Sequence, residues 1–134
     1  MIRHYISCLF LLVLLVGCGD SGSTSTGPTD ADVQANNRGV GLMGSFDYGG
    51  AFEVFDALAQ ANPEWTVVQV NLEIARLNRQ QVEDESLALE HLVTIANATG
   101  DVRARYMSGI LQFNSGEIDG AHSSFQQVVD ADPN

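Results

Sequence analysis

An internal repeat constrains the fold of this 134-residue chain more strongly than any other feature of its sequence. The segment 46–51 reads FDYGGA and the segment 116–121 reads GEIDGA. An aromatic residue and a proline then follow the last alanine at the same two distances in both copies, namely Phe55 and Pro63 in one and Phe125 and Pro133 in the other. Self-similarity at a period of tens of residues indicates stacked supersecondary units. We therefore expect a repeat protein.

The units are predicted to be helical, because apolar residues recur at helical spacing from residue 31 onward, with short breaks between the segments. One helix should end before Asn62, since the residue that precedes Pro63 leaves the helical region. Gly100 suits the end of a helix and Asp101 the N-cap of the next. The pattern predicts six helices in three hairpins, the last four at about 65–79, 85–98, 101–114 and 118–131.

These residues resemble the tetratricopeptide repeat (TPR), a helical hairpin of about 34 residues. Its pattern has a small residue in the first helix, glycine or aspartate with tyrosine at the turn, and then an alanine, an aromatic residue and a proline. The third unit has Gly109, Gly116, Ala121, Phe125 and Pro133 at these places, and the first has Gly39, Asp47, Tyr48, Ala51, Phe55 and Pro63.

The resemblance implies an all-α fold of three stacked helix-turn-helix TPR hairpins that form a short right-handed solenoid over residues 32–134. The repeats fall at about 32–65, 66–100 and 101–134. The second unit departs from the pattern, with Glu73 at the small position, Arg76 at an aromatic one, and extra residues in the turn at 80–85. A longer turn should leave the stack intact, because repeats tolerate insertions between their helices.

Residues 1–17 are predicted to be a signal peptide, since Arg3 and His4 precede an apolar run at 5–16 that is too short to span a bilayer. The sequence LVGC at 15–18 resembles the lipobox of bacterial lipoproteins, which implies cleavage before Cys18 and lipidation of this cysteine. The alternative is an ordinary secreted protein that is cut after Gly17 or Gly19. Two or more acyl chains would anchor the chain stably.

Residues 18–31 are predicted to be a lipidated, flexible linker, because they are rich in glycine, serine and threonine. Gly19 is not the aspartate that retains lipoproteins in the inner membrane of enteric-type bacteria. We therefore expect a protein of the bacterial cell envelope, on the outer membrane and facing the periplasm or the cell surface. The net charge of −11 argues against nucleic acid as a partner.

In the TPR family the first helix of each hairpin lines a concave groove that binds a partner. Carried over by position, the resemblance implies an apolar lining for a peptide, with Tyr106 and Phe113 as aromatic anchors. The alternative is that the lining residues pack between neighbouring first helices, an alternative that is strongest for Val70 and Ile74. The candidate groove residues are Val40, Met43, Val70, Ile74, Leu77, Arg103, Tyr106, Ile110 and Phe113.

No enzyme is expected, because the sequence contains no nucleophile elbow, phosphate loop or paired-carboxylate motif. His91 and His122 have no Cys, Asp or Glu at metal-ligand spacing on the same helix face, so they are interpreted as solvated residues and no metal is expected. The lipid on Cys18 is the only expected cofactor. In the last unit, Phe125, Val128 and Val129 cannot all be covered within one hairpin, which predicts self-association or a partner at that end.

Two function classes remain open at this point. The first is a membrane-tethered adaptor that recruits an envelope protein or peptide through the groove. The second is an accessory, structural part of a larger exported protein. The segments 37–44, 70–72 and 77–80 look like the repeat segment that precedes β-propeller and UnbV-type domains in some exported bacterial proteins.

Overall fold

The computed structural model describes residues 27–131, and the predicted signal peptide, Cys18 and most of the predicted linker lie outside them. Within this range the chain is all helical, and none of the helices is long and apolar enough to cross a membrane. Each helix packs against the next along the chain, and α1 also contacts α3. The helices are α1 (Asp30–Gly44), α2 (Tyr48–Ala61), α3 (Thr66–Arg79), α4 (Asp84–Thr99), α5 (Val102–Asn114) and α6 (Ile118–Ala131).

Side-chain caps fix the start of three helices. Thr29 forms a capping box with Asp32, so α1 begins at Asp30. Residues 30 and 31, which were predicted to belong to the linker at 18–31, are therefore part of α1. The Asp47 carboxylate accepts a hydrogen bond from the Gly50 backbone N–H at 3.0 Å and caps α2. Asp101 caps α5 as predicted, by accepting from the backbone N–H of Ala104 at 2.9 Å.

The helix ends also follow from the sequence. Helix α2 ends at Ala61, directly before Asn62 and Pro63. Gly100 ends α4 in the left-handed conformation, with φ of 72°, which glycine adopts without steric cost. The six observed helices therefore agree with the predicted ones to within a few residues.

In the first hairpin and again in the last, a close contact between a glycine and an aromatic ring joins the two helices of the hairpin. A Cβ atom added to Gly39 in α1 would lie 2.6 Å from Cε1 of Phe55 in α2. The corresponding distance from Gly109 in α5 to Phe125 in α6 is 2.7 Å. In both hairpins the ring packs directly on the backbone of the partner helix, a separation that only glycine permits.

The middle hairpin replaces this contact with a buried ionic one. Glu73 stands where the other units have glycine, and it is only 3% exposed. Its carboxylate accepts a hydrogen bond from Nε of Arg76 at 2.7 Å and lies 3.0 Å from Nδ1 of His91. His91, which the sequence analysis interprets as a solvated residue, is partly exposed and also contacts a carboxylate, which comes from the facing helix α3 and not from α4.

The extra residues between α3 and α4 form a turn that is closed by a second ion pair. Arg79 donates two hydrogen bonds to the buried Asp84, from Nη2 at 2.7 Å and from Nε at 3.1 Å. The Arg79 guanidinium also stacks 3.8 Å above the ring of Phe52. Its hydrogen bond lowers the pKa of Asp84, and the backbone N–H of Gln81 acts in the same direction. Through Arg79 the turn therefore contacts Phe52 of the first hairpin and Asp84 of the middle one.

The apolar core consists of two clusters, each centred on one boundary between hairpins. Phe55 of the first hairpin is 1% exposed and Leu92 of the second is 0% exposed. Phe125 occupies the same position in the last hairpin but is only half-buried, and Val129 nearby is 58% exposed. Within residues 27–131 no further helix covers α6. Self-association or partner binding at this face stays a prediction.

We expect Gly39→Ala to lower the free energy of unfolding by about 1–3 kcal/mol, because the new methyl group overlaps the ring of Phe55 and forces it to move. Gly41→Ala is the matched control in the same helix, since nothing lies within 4 Å of the position that its new methyl group would take. It should be neutral or stabilise by up to about 1 kcal/mol through helix propensity. Urea unfolding monitored by circular dichroism measures the free energy of unfolding of both variants. An equal change in the two would contradict the packing role of Gly39.

The Arg79–Asp84 pair should make stability depend on pH. Because the folded-state pKa of Asp84 lies below its ordinary value of 3.8, its contribution is present above that value. The contribution is lost as the pH falls through the lower folded pKa. Asp84→Asn should therefore destabilise by on the order of 2 kcal/mol at neutral pH. The difference in stability between Asp84→Asn and the wild type should become smaller at acidic pH.

Thermal unfolding of both chains between neutral and acidic pH measures this effect. Asp130→Asn is the control, because Asp130 is exposed and its side-chain partner is the neutral Gln126. A gap between wild type and Asp84→Asn that stays constant with pH would show that the carboxylate charge is not what matters.

Candidate functional site

The groove predicted from the sequence contains an apolar cavity between the first helices of the first two hairpins. Its volume is about 160 Å³. Val40 and Met43 of α1 and Ile74 of α3, which the TPR resemblance places in the groove, lie together around it, and Asn71 and Phe55 line it as well although neither was predicted as a lining residue. An aromatic residue at the bottom of the groove could have been inferred from the contact of Phe55 with Gly39.

Helical spacing explains why these side chains meet. Val40 and Met43 are three residues apart on α1, and Asn71 and Ile74 are three residues apart on α3, so each pair lies on one face of its helix. Val40 is 51% exposed, whereas Phe55 is 1% exposed. The cavity therefore has an apolar floor and an accessible rim.

A hydrogen bond between two asparagines joins the same two helices. Nδ2 of Asn71 donates to Oδ1 of Asn36 at 3.0 Å, and both side chains are partly buried. This contact fixes the orientation of the Asn71 amide at the edge of the cavity. It leaves Oδ1 of Asn71 and Nδ2 of Asn36 as groups that can bond to the backbone of a ligand.

Two of the predicted groove residues on α3 contribute to the core instead. Val70 is fully buried in the cluster that contains Ala88 and Leu92, so no ligand can reach it. Leu77 is half-buried and packs against the same cluster. Helix α3 is the central first helix and is covered by hairpins on both sides, which explains why its apolar face is used for packing.

The predicted residues of α5 form a separate part of the surface. Tyr106 is 50% exposed and Phe113 is 60% exposed, while Ile110 is half-buried. The Tyr106 ring lies 5.9 Å from that of Phe125, measured between centroids, and this contact orients it. Arg103 sits at the start of α5, 3.8 Å from the Asp101 carboxylate. The α1–α3 cavity is not lined by these residues.

The electrostatic character of the cavity is neutral. Among the described residues, no charged side chain belongs to its lining, and no group of three or more His, Cys, Asp and Glu could hold a metal ion. Arg76 and Arg79 of the neighbouring α3 are each paired with a buried carboxylate at 2.7 Å. The arrangement offers an apolar pocket with amide groups at its edge.

Comparison with solved structures identifies the fold. The Sgt2 TPR domain from Aspergillus fumigatus superposes with a TM-score of 0.72 at 17% identity, over 82% of this chain and 72% of that one. The second TPR domain of Spaghetti (RPAP3), bound to the HSP90 peptide SRMEEVD, gives a TM-score of 0.65 at 19% identity, over 75% and 91% of the two chains. The described residues therefore have the TPR fold.

MamA from Desulfovibrio magneticus RS-1 also matches, with a TM-score of 0.63 and 24% identity over 76% of this chain. The match spans 56% of the MamA chain, so the protein compared is considerably longer. The sequence matches no protein-family model and no curated protein sequence. Identities this low show a shared fold, and function has to be argued from the site.

Proposed function

We propose that this chain is a protein-interaction module that binds an apolar segment of a partner protein along the face formed by α1, α3 and α5. The observation that carries the proposal is the apolar cavity between α1 and α3. A site lined by apolar groups, with a few polar groups at its edge, is the usual form of a binding pocket. Exposed apolar side chains on one face commonly mark an interaction surface.

The size of the cavity suits one side chain of the partner. A cavity of about 150 Å³ can hold a molecule as large as benzene, and this one measures about 160 Å³. A leucine, isoleucine or phenylalanine of the partner would contact Val40, Met43 and Ile74 while covering Phe55. The amides of Asn36 and Asn71 would bond to its backbone. Tyr106 and Phe113 would extend the contact onto α5.

The negative charge of the chain disfavours an acidic segment in the groove. The RPAP3 domain is bound to the peptide SRMEEVD, which carries three acidic residues near its C-terminus. This chain contains no lysine and has a net charge of −11. Of the arginines on α1 and α3, Arg76 and Arg79 are paired with Glu73 and Asp84, and Arg38 lies at an exposed position two residues before Val40. A neutral or basic segment is therefore the expected ligand.

We also propose that the module is held at a membrane of the bacterial envelope by lipid on Cys18. The supporting observation is the apolar run that ends in LVGC, followed by a linker rich in glycine and serine. Helix α1 begins at Asp30, so about a dozen residues separate it from Cys18 and would span roughly 20 Å as a flexible coil. The groove would then face a partner close to the membrane surface.

Val40→Glu should weaken binding of a neutral peptide about tenfold or more, because the carboxylate would lie at the rim of an apolar cavity and lose solvation when the ligand covers it. Val82→Glu is the matched control, since Val82 is 92% exposed in the α3–α4 turn. Fluorescence anisotropy with peptides that carry leucine or phenylalanine between neutral or basic residues measures the affinity. SRMEEVD serves as the acidic comparison.

The same assay tests the α5 surface. Substituting both Tyr106 and Phe113 by alanine should weaken binding, as aromatic residues dominate interaction hot spots. Phe46→Ala, at a ring that is 78% exposed in the α1–α2 turn, should not. The proposed groove is wrong if Val40→Glu and Val82→Glu bind alike, and the proposed selectivity is wrong if SRMEEVD binds as tightly as the neutral peptides.

Cys18→Ser should abolish lipid attachment, because serine offers no thiol for the acyl transfer that the lipobox resemblance implies. Cys8→Ser is the matched control, since Cys8 lies in the apolar run that would leave with the signal. Labelling bacterial cells with an alkyne analogue of palmitate, followed by detergent-phase partitioning, distinguishes the two. Labelling of the Cys18→Ser chain, or equal loss of label in both variants, would contradict the anchor.

A further inference from the structure

A polar cleft of about 200 Å³ lies between the second and third hairpins, away from the apolar cavity. Helix α5 forms its base with Arg105, Ser108 and Gln112, which are spaced by three and four residues and so lie on one helix face. Helices α4 and α6 form its two sides, with Asn97 on one and Ser124 on the other. Neither the TPR groove nor the packing of the core accounts for this opening.

The repeat itself provides an internal comparison that explains the cleft. Aligning Glu73 with Gly109 and Ala88 with Ala121 identifies the same positions at the boundary between the first and second hairpins. At four of these positions the side chain at the first boundary is larger than the one at the second. Ser108 takes the place of Leu72, Gln112 that of Arg76, Gly120 that of Leu87 and Ser124 that of His91.

These replacements change both the space and its chemistry. Leu72 is 8% exposed and belongs to the apolar core at the first boundary, and the side chain of His91 is held within the middle hairpin by its contact with Glu73 at 3.0 Å. Gly120 leaves room for the Gln112 amide, whose Nε2 would lie 2.9 Å from a Cβ added at that position. The backbone is similar at the two boundaries, and the second one is open and polar because of its side chains.

Arg105 gives the cleft a positive charge. Its Nη2 donates to the carbonyl oxygen of Ala96 at 2.7 Å, which holds the partly buried guanidinium in place but does not neutralise it. Among the described residues no carboxylate lies within 4.0 Å of the Arg105 side-chain nitrogens, whereas Arg76 and Arg79 each have one at 2.7 Å. The chain has 17 acidic residues, yet none of them lines the cleft within the described range.

Neutral hydrogen-bond donors line the same cleft as the Arg105 guanidinium. Oε1 of Gln112 accepts from the hydroxyl of Ser124 at 2.8 Å, which fixes the amide and leaves its Nε2 donors for a ligand. The amide of Asn97 lies at the side of the same cleft. A guanidinium and amide N–H groups that line one cleft are donors from which a carboxylate accepts, and hydrogen bonds between charged groups are the stronger ones.

From this geometry we propose that the cleft between α4, α5 and α6 binds a compact carboxylate ligand, with Arg105 as the charge partner and Gln112 as a second donor. The volume admits a small organic acid or the terminal carboxyl group of a peptide, and the chemistry of recognition is the same for both. This site is independent of the proposed groove, because the two share no lining residue.

The test is an NMR titration of the full ¹⁵N-labelled chain in a neutral detergent. Succinate probes the small-acid source, N-acetylglycine probes the terminal carboxyl group of a peptide, and neutral succinamide is the control for shape. We expect saturable shifts at the backbone amides around residues 105, 112 and 124 with at least one carboxylate. The acid that binds more tightly identifies the source, and succinamide should cause no such shifts.

Two variants and a matched control decide whether the cleft is responsible. Arg105→Gln removes the charge, and Ser108→Leu fills the space with the residue that the chain itself uses at Leu72. Each should raise the Kd about tenfold or more. Arg38→Gln removes the same charge from an exposed position on α1 and should leave the Kd unchanged.

Circular dichroism confirms that each variant is folded before its affinity is compared. Saturable binding that a folded Ser108→Leu chain retains in full would overturn the proposal, as would equal weakening by Arg38→Gln and Arg105→Gln. Absence of saturable shifts with both acids, or equal binding of succinamide, would also overturn it.

Discussion

The structure depends on how closely the two helices of each hairpin can approach. In the outer hairpins a glycine lets an aromatic ring rest on the facing backbone, with Gly39 under Phe55 and Gly109 under Phe125. This contact brings the remaining apolar residues of the two helices within packing distance, and the core clusters at the hairpin boundaries follow from it. The middle hairpin reaches a similar arrangement by a different means, since the buried Glu73 is neutralised by Arg76 and contacts His91.

Much of the fold could be predicted from the sequence because its signals are local. The break before Pro63, the N-cap at Asp101 and the glycine at 100 each act within one helical turn, and the observed helix ends lie where these residues place them. The partner of His91 could not be predicted in this way, because Glu73 lies on another helix. The contact depends on tertiary packing, which spacing along a single helix does not reveal.

The groove was predictable only in part, for a similar reason. The TPR resemblance implies which positions of a first helix face the groove, and three of them, Val40, Met43 and Ile74, line one cavity. It does not show how much of each position a neighbouring hairpin covers, and Val70 is fully buried for that reason. The polar cleft beside Arg105 was missed because its opening results from the absence of large side chains at four positions. Such an absence becomes visible only when one boundary between hairpins is compared with the other.

The glutamate in the middle hairpin also affects which helix α3 can form a hairpin with during folding. If α3 formed its hairpin with α2 or α6 in place of α4, the position of Glu73 would face Phe55 or Phe125. The Cβ of Glu73 would then occupy the place where only a glycine fits against Phe55 or Phe125. Its carboxylate would lose the contact with His91. Near-identical repeats are prone to such mispairing, and one substitution at a glycine position makes the middle hairpin distinguishable from its neighbours during assembly.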